Sequence, residues 1–139
     1  MYSINRERLV KTFIELAEIS SPSWKEKNVM NYIIKKFNRL GAECSTYRCG
    51  ESCNLLIRFS GDGKSTPILL SGHMDTVTPC ERVSAVVSDT KISSDGTTVL
   101  GSDDKAAIAM FIEAFEHIKE NKITHGPVEI LLTCAEELG

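Results

Sequence analysis

Three short stretches hold the residues best suited to chemistry. The first, Ser71-Gly72-His73-Met74-Asp75-Thr76-Val77, follows an apolar run, Pro67-Ile68-Leu69-Leu70, that reads as a buried strand. Residues two apart in an extended chain point to the same side, so His73 and Asp75 can face one site together. A histidine offers a neutral nitrogen to a metal, and a nearby carboxylate fixes its tautomer and raises its basicity. The other two stretches, Gly101-Ser102-Asp103-Asp104-Lys105 and Ala135-Glu136-Glu137-Leu138-Gly139, supply the acidic groups such a site needs. Neighbours in an extended chain face opposite ways, so one of Glu136 and Glu137 can ligate a metal while the other faces a bound water. A metal lowers the pKa of that water towards about 7, within reach of a carboxylate base. Asp103 has two oxygens and can bridge two ions about 3.5–4 Å apart. Nitrogen and carboxylate ligands suit zinc, with manganese or cobalt possible by exchange. Taken singly, each motif has a plainer reading: a satisfied His–Asp pair, a helix cap, a solvated glutamate pair. Their combination, each at the edge of an apolar element, carries the case.

The flanking elements follow from periodicity. Asn5 can cap a helix to about Ile19, with Leu9, Phe13 and Leu16 on its apolar face and an Ile4–Leu9 staple. Ser20-Ser21-Pro22 breaks it. Ser23-Trp24-Lys25-Glu26 has the pattern of a capping box for a second helix to about Leu40, stopped by Gly41. Strands are expected at residues 43–48, 54–59 and 67–71, with a hairpin turn in Gly61-Asp62-Gly63-Lys64-Ser65-Thr66. Gly-Lys-Ser there is no phosphate loop: Arg58 stands where the first glycine belongs, and Pro67 and a strand follow in place of a helix. A polar, strand-rich segment runs to about Val99, with Asp95-Gly96 as a hairpin turn signal. A long helix from Asp103 to about Glu120 carries Ala107, Met110, Phe111, Ala114, Phe115 and Ile118 on one face, its acidic start suiting the helix dipole. Val128–Thr133 is a further buried strand that runs into the glutamate pair. Helices alternating with apolar strands indicate an α/β fold. His73 and Glu136/Glu137 then lie at carboxyl ends of strands, where open α/β sheets hold their ligands.

Composition narrows the class. The 139 residues make about one domain, with 42% hydrophobic and 25% charged residues. A net charge of -3 gives no basic footprint for nucleic acid. No apolar run approaches the roughly 20 residues of a membrane span, and the segment Met1–Glu7 lacks the layout of a signal peptide. The expected location is cytoplasmic. Cys44, Cys49, Cys53, Cys80 and Cys134 form no Cys-x-x-Cys pair and read as free thiols.

Ser-Gly-His-Met-Asp-Thr-Val, Leu-Gly-Ser-Asp-Asp-Lys-Ala-Ala and Thr-Cys-Ala-Glu-Glu-Leu-Gly, in this order and spacing, resemble the dizinc aminoacylase/carboxypeptidase family of metallopeptidases, and within it the peptidase T-like branch. Ile-Ser-Ser-Pro-Ser between the first helices, residues 93–100 and His125-Gly126-Pro127-Val128-Glu129 fit that branch too. The resemblance implies a three-layer α/β catalytic domain with a central mixed, mostly parallel sheet, residues 1–139 being its N-terminal portion. It implies two zinc ions per complete site. His73 matches a ligand of one, Asp103 the bridging aspartate with a cis peptide bond to Asp104, and Glu137 a ligand of the second. Asp75 matches the carboxylate that orients His73, and Glu136 the general base. The implied reaction is hydrolysis of a peptide or amide bond in a short peptide or N-acyl amino acid by a metal-activated water. A full-length homodimer is a further implication.

The family's later carboxylate and histidine ligands and its lid domain have no match before Gly139. His117 and His125 are not expected to substitute: one reads as part of a solvated helix face, the other precedes a turn and strand. Each zinc would then have two protein ligands where a catalytic zinc usually has three. The expectation is an incomplete fragment that binds metal weakly, hydrolyses little alone and leaves a sheet edge exposed. The alternative is a naturally short, inactive binding or metal-binding module of the same fold.

Overall fold

The computed structural model describes residues 3–139; Met1 and Tyr2, which open the segment read for a leader, lie outside the described residues. Helix α1, Arg6–Ala17, begins as expected at Asn5, whose side-chain oxygen accepts the Arg8 backbone N–H at 3.0 Å. Helix α2, Lys27–Leu40, buries Val29, Ile33, Phe37 and Leu40 along one stripe. It ends on Gly41, whose φ of 94° is the left-handed stop that glycine adopts without strain.

Strands β1, Glu43–Cys49, and β2, Ser52–Phe59, form a hairpin closed by Gly50-Glu51. Strand β3, Ile68–His73, is followed by a short antiparallel pair, β4, Ala85–Val87, and β5, Ile92–Ser94. Then come helix α3, Ser102–Glu120, strand β6, Val128–Thr133, and a 3-10 turn, Glu136–Leu138. The four longer strands form one mixed sheet in the order β1-β2-β6-β3. Of its three pairings, only β3 with β6 is parallel, so within this chain the sheet is mixed but not mostly parallel. A two-residue connection forces β1 and β2 antiparallel, and β6 enters against the direction of β2.

Two turns differ from expectation. Residues 61–66 do not close a hairpin, because β6 lies between β2 and β3. They form a loop in which Asp62 accepts the backbone N–H groups of Lys64 and Ser65, while its own N–H donates to the His125 carbonyl. Nor does Asp95-Gly96 turn a hairpin. The β4–β5 turn is at residues 88–91, and Asp95 closes a separate turn by accepting the N–H of Thr97.

One core joins the helices to one face of the sheet. Leu55, Ile57 and Phe59 of β2 stand opposite Leu132, Ile130 and Val128 of β6 in register, and all six are buried. Phe13, Leu16, Phe37, Ile108, Ile112 and Phe115 from the three helices cover them. The stacked rings of Phe59 and Phe115 have centroids 3.7 Å apart. On the other face of the same strands, Arg58 pairs with Glu129 at 2.9 Å. Strand β3 is a sheet edge, with Ile68 and Leu69 exposed. All five cysteines are free. Among the described residues no helix is long and apolar enough to cross a membrane.

Candidate metal and catalytic site

The parallel β3–β6 pair positions the site. His73, the last residue of β3, is in register with Thr133, the last residue of β6. Both strands therefore deliver their C-terminal ends to one edge, and the segments that follow carry Asp75 and the glutamate pair. The start of α3 brings the third acidic stretch there. Asp103 and Asp104 are joined by a cis peptide bond and have non-helical backbone angles, so regular helix begins after them. Gly72 makes room for this approach: a Cβ at its position would lie 2.5 Å from Asp104 Oδ2. Burial pushes the Asp104 carboxyl above its ordinary range.

His73 is buried and Asp103 exposed, and His73 Nε2 lies 3.0 Å from Asp103 Oδ1 and 3.8 Å from Glu136 Oε2. Ligand atoms of His73, Asp103 and Glu137 all lie within 4.8 Å of one another. The other ring nitrogen, Nδ1, is 3.0 Å from the Asp75 main-chain carbonyl and 3.5 Å from its carboxylate. The carbonyl is thus the shorter contact. Burial opposes a charged His73 ring, but Asp103, the Asp75 carbonyl and the nearby carboxylates outweigh it and hold its pKa above the ordinary 6.5.

The Asp75 carboxylate is fully buried and has a different set of partners. Its Oδ1 accepts the backbone N–H of Glu136 at 3.0 Å. Its Oδ2 accepts the N–H of Glu137 at 3.2 Å and the hydroxyl of Ser23 at 2.7 Å. Glu136 and Glu137 therefore stand on one 3-10 turn pinned by Asp75, where an extended chain pointing them opposite ways was expected. Ala135 leads into the turn with φ at 54°.

The capping-box expectation for residues 23–26 fails for the same reason. The Ser23 hydroxyl is committed to Asp75, and α2 starts later, at Lys27. Glu26 is fully buried, and its Oε1 accepts the backbone N–H of Trp24 at 2.9 Å and of Ala135 at 3.0 Å. The loop between α1 and α2 is thus part of the site's frame. Ser23 and Glu26 went unrecognised because a capping pattern explained both locally, and no local signal reaches across 109 residues. Lys105, also buried, donates to the Ile19 carbonyl at 2.7 Å and ties the start of α3 to the end of α1. Burial lowers its pKa to about 8. His125 packs edge-on against Phe59 and Phe115 in the core, and His117 lies in the last turns of α3.

The donor set fits a divalent cation. One imidazole nitrogen and two carboxylates converge, the combination that zinc accepts. The ion-pair partner of Asp75, Asp103 and Glu136 is His73 alone among the described residues, so negative charge outweighs positive charge at the centre.

Residues 69–139 match the model of peptidase family M20/M25/M40. The chain belongs to that family. It is 35% identical to the uncharacterized protein YqjE of Bacillus subtilis strain 168, over 98% of this chain and 38% of that protein. The crystal structure of a tripeptidase from Staphylococcus aureus subsp. aureus Mu50 superposes with a TM-score of 0.93 at 36% identity, over 98% of this chain and 38% of that one. Aminopeptidase PepT from Bacillus cereus ATCC 10987 gives a TM-score of 0.93 at 37% identity with the same coverage. This M20-family chain spans 38% of the length of each of these proteins, and the two solved structures share its mixed α/β architecture.

Proposed function

We propose that this chain carries one half of the catalytic centre of a metal-dependent peptidase acting on short peptides, with a cytoplasmic location. The observation that supports this reading most is the convergence of His73, Asp103 and Glu137 within 4.8 Å, with the Glu136 carboxylate 3.8 Å from the same imidazole nitrogen. The similarity to a tripeptidase and to aminopeptidase PepT supports the peptide substrate. His73, Asp103 and Glu137 would hold the metal, with zinc the best match to their donor atoms. A bound divalent cation supplies Lewis acidity, lowering the pKa of water and polarising a carbonyl.

The chain's own residues do the rest. Glu136 takes the proton of the attacking water and passes it to the departing amine. Asp75 keeps Glu136 and Glu137 in place through their backbone N–H groups, and its carbonyl holds the Nδ1 side of His73, leaving Nε2 for ligation. Asp103, with one oxygen toward His73 and a largely exposed side chain, would keep its second oxygen available to a further cation.

The test is Glu136→Ala in the protein that carries this chain, assayed on di- and tripeptides. Turnover should fall by at least about a hundredfold, the usual contribution of a positioned base. Hydrolysis at the parent rate would remove Glu136 from the reaction.

A further inference from the structure

Beside the acidic cluster lies a recess of about 380 Å³, lined by Pro22, Ser23, Trp24, Val77, Glu137 and Leu138 among others. Its walls come from the α1–α2 loop, the segment after β3 and the terminal 3-10 turn, the same three segments that Asp75 links. Four of the named walls are apolar, and two remain open to solvent: Val77 is 47% and Leu138 61% exposed. Exposed apolar side chains gathered in a concavity mark a place where something apolar is received. The indole is fixed in its wall. Trp24 has φ at 72°, its backbone N–H donates to the Glu26 carboxylate, and its ring lies so close to Gly50 that a Cβ there would be 2.5 Å from it.

Glu137 belongs both to this recess and to the convergent triad. A peptide whose reacting carbonyl sits beside Glu136 and Glu137 must place a flanking side chain next to them, and the recess is a concavity that Glu137 borders. We infer that this recess is the subsite for an apolar side chain flanking the scissile bond, and that Trp24, Val77 and Leu138 select it. This rests on the reading of Glu136 and Glu137 given above. An acidic side chain is disfavoured there, because it would approach Glu137 across an apolar wall.

Trp24 is the single tryptophan, so its emission reports the recess alone. The 139-residue chain is titrated with trileucine, triglycine and triaspartate in the presence of a chelator, and Trp24 fluorescence is followed. Trileucine should shift the emission saturably, at a concentration at least about tenfold below that for triglycine. Triaspartate should give no saturable shift. Val77→Asp should abolish the trileucine preference with the melting temperature retained, since Val77 is solvent-exposed. Leu138→Ser gives the same readout should Val77→Asp melt early. Coincident curves for trileucine and triglycine, or an unchanged trileucine curve in both variants, would overturn the assignment. Neither metal nor turnover enters this titration. Loss of the Glu136 role would leave its outcome standing, and its failure would leave the metal cluster untouched.

Discussion

The Asp75 carboxylate accepts the backbone N–H of Glu136 at 3.0 Å, 61 residues away in the chain. The same group takes the N–H of Glu137 and the hydroxyl of Ser23 while fully buried. One side chain therefore fixes where both glutamates stand. Asp75→Asn keeps the size but replaces an acceptor oxygen by a donor, which cannot receive an N–H. One partly buried backbone donor then loses its partner, at a cost toward the low end of about 1–3 kcal/mol. Urea unfolding of Asp75→Asn should show that loss, and Ser23→Ala about 1 kcal/mol. Wild-type stability in Asp75→Asn would mean that the 3-10 turn stands without it.

A second buried carboxylate locks α1 to α3. Glu113 is 2% exposed and receives Arg8 Nε at 2.6 Å, Arg8 Nη2 at 2.9 Å and the Asn5 backbone N–H at 3.0 Å. Arg8 also reaches Glu120, and these partners raise its pKa further. Arg8→Ala leaves Glu113 buried without its cation. Breaking such a pair costs about 3–5 kcal/mol, and the partial exposure of Arg8 puts this case at the low end. Glu113→Gln, which keeps an acceptor for Asn5, should cost less than Arg8→Ala. Denaturant midpoints of the two variants test the order.

Glu15 links α1 to α2. Tyr32 donates to it at 2.5 Å and Lys36 at 3.1 Å, and the tyrosine hydrogen bond is the main reason its carboxyl lies below the ordinary 4.5. A depressed carboxyl pKa in the fold means that the charged form is favoured there. This stabilisation is complete above pH 4.5, the unfolded value, and is lost as pH falls through the lower folded value. Tyr32→Phe should therefore destabilise the chain at neutral pH, by no more than about 1 kcal/mol because the pair is partly solvated. The gap between Tyr32→Phe and the parent should close in acid. Thermal melts from pH 7 down to the acid transition check both points.

Particular residues show how far the sequence reached. The helical spacing of Val29, Ile33, Phe37 and Leu40 and the stop at Gly41 predict α2 because each signal lies within a few residues of its effect. The same holds for Asn5 as a cap and for β6, whose apolar run gives its bounds. The strand order is different in kind. The insertion of β6 between β2 and β3 is a long-range pairing, so Gly61-Asp62-Gly63 reads as a hairpin when only its neighbours are considered. At the site, residue types point to the His73, Asp103 and Glu136/Glu137 stretches as one centre, the choice of Glu137 over Glu136 rests on the family resemblance, and the parallel β3–β6 register supplies the geometry. The bonds of Asp75, Ser23 and Glu26 to distant backbone are absent from any local pattern.

The most direct test of the metal centre is the melting temperature of the 139-residue chain with and without excess zinc, compared with His73→Ala and Glu137→Gln. A ligand that binds only the folded state raises stability in proportion to RT ln(1 + [L]/Kd), so even weak binding registers at high zinc. The account predicts a rise in the parent that is reversed by dialysis, because few protein ligands are present, and no rise in either variant. An equal rise in the parent and in both variants would place the zinc elsewhere and contradict the assignment of His73, Asp103 and Glu137.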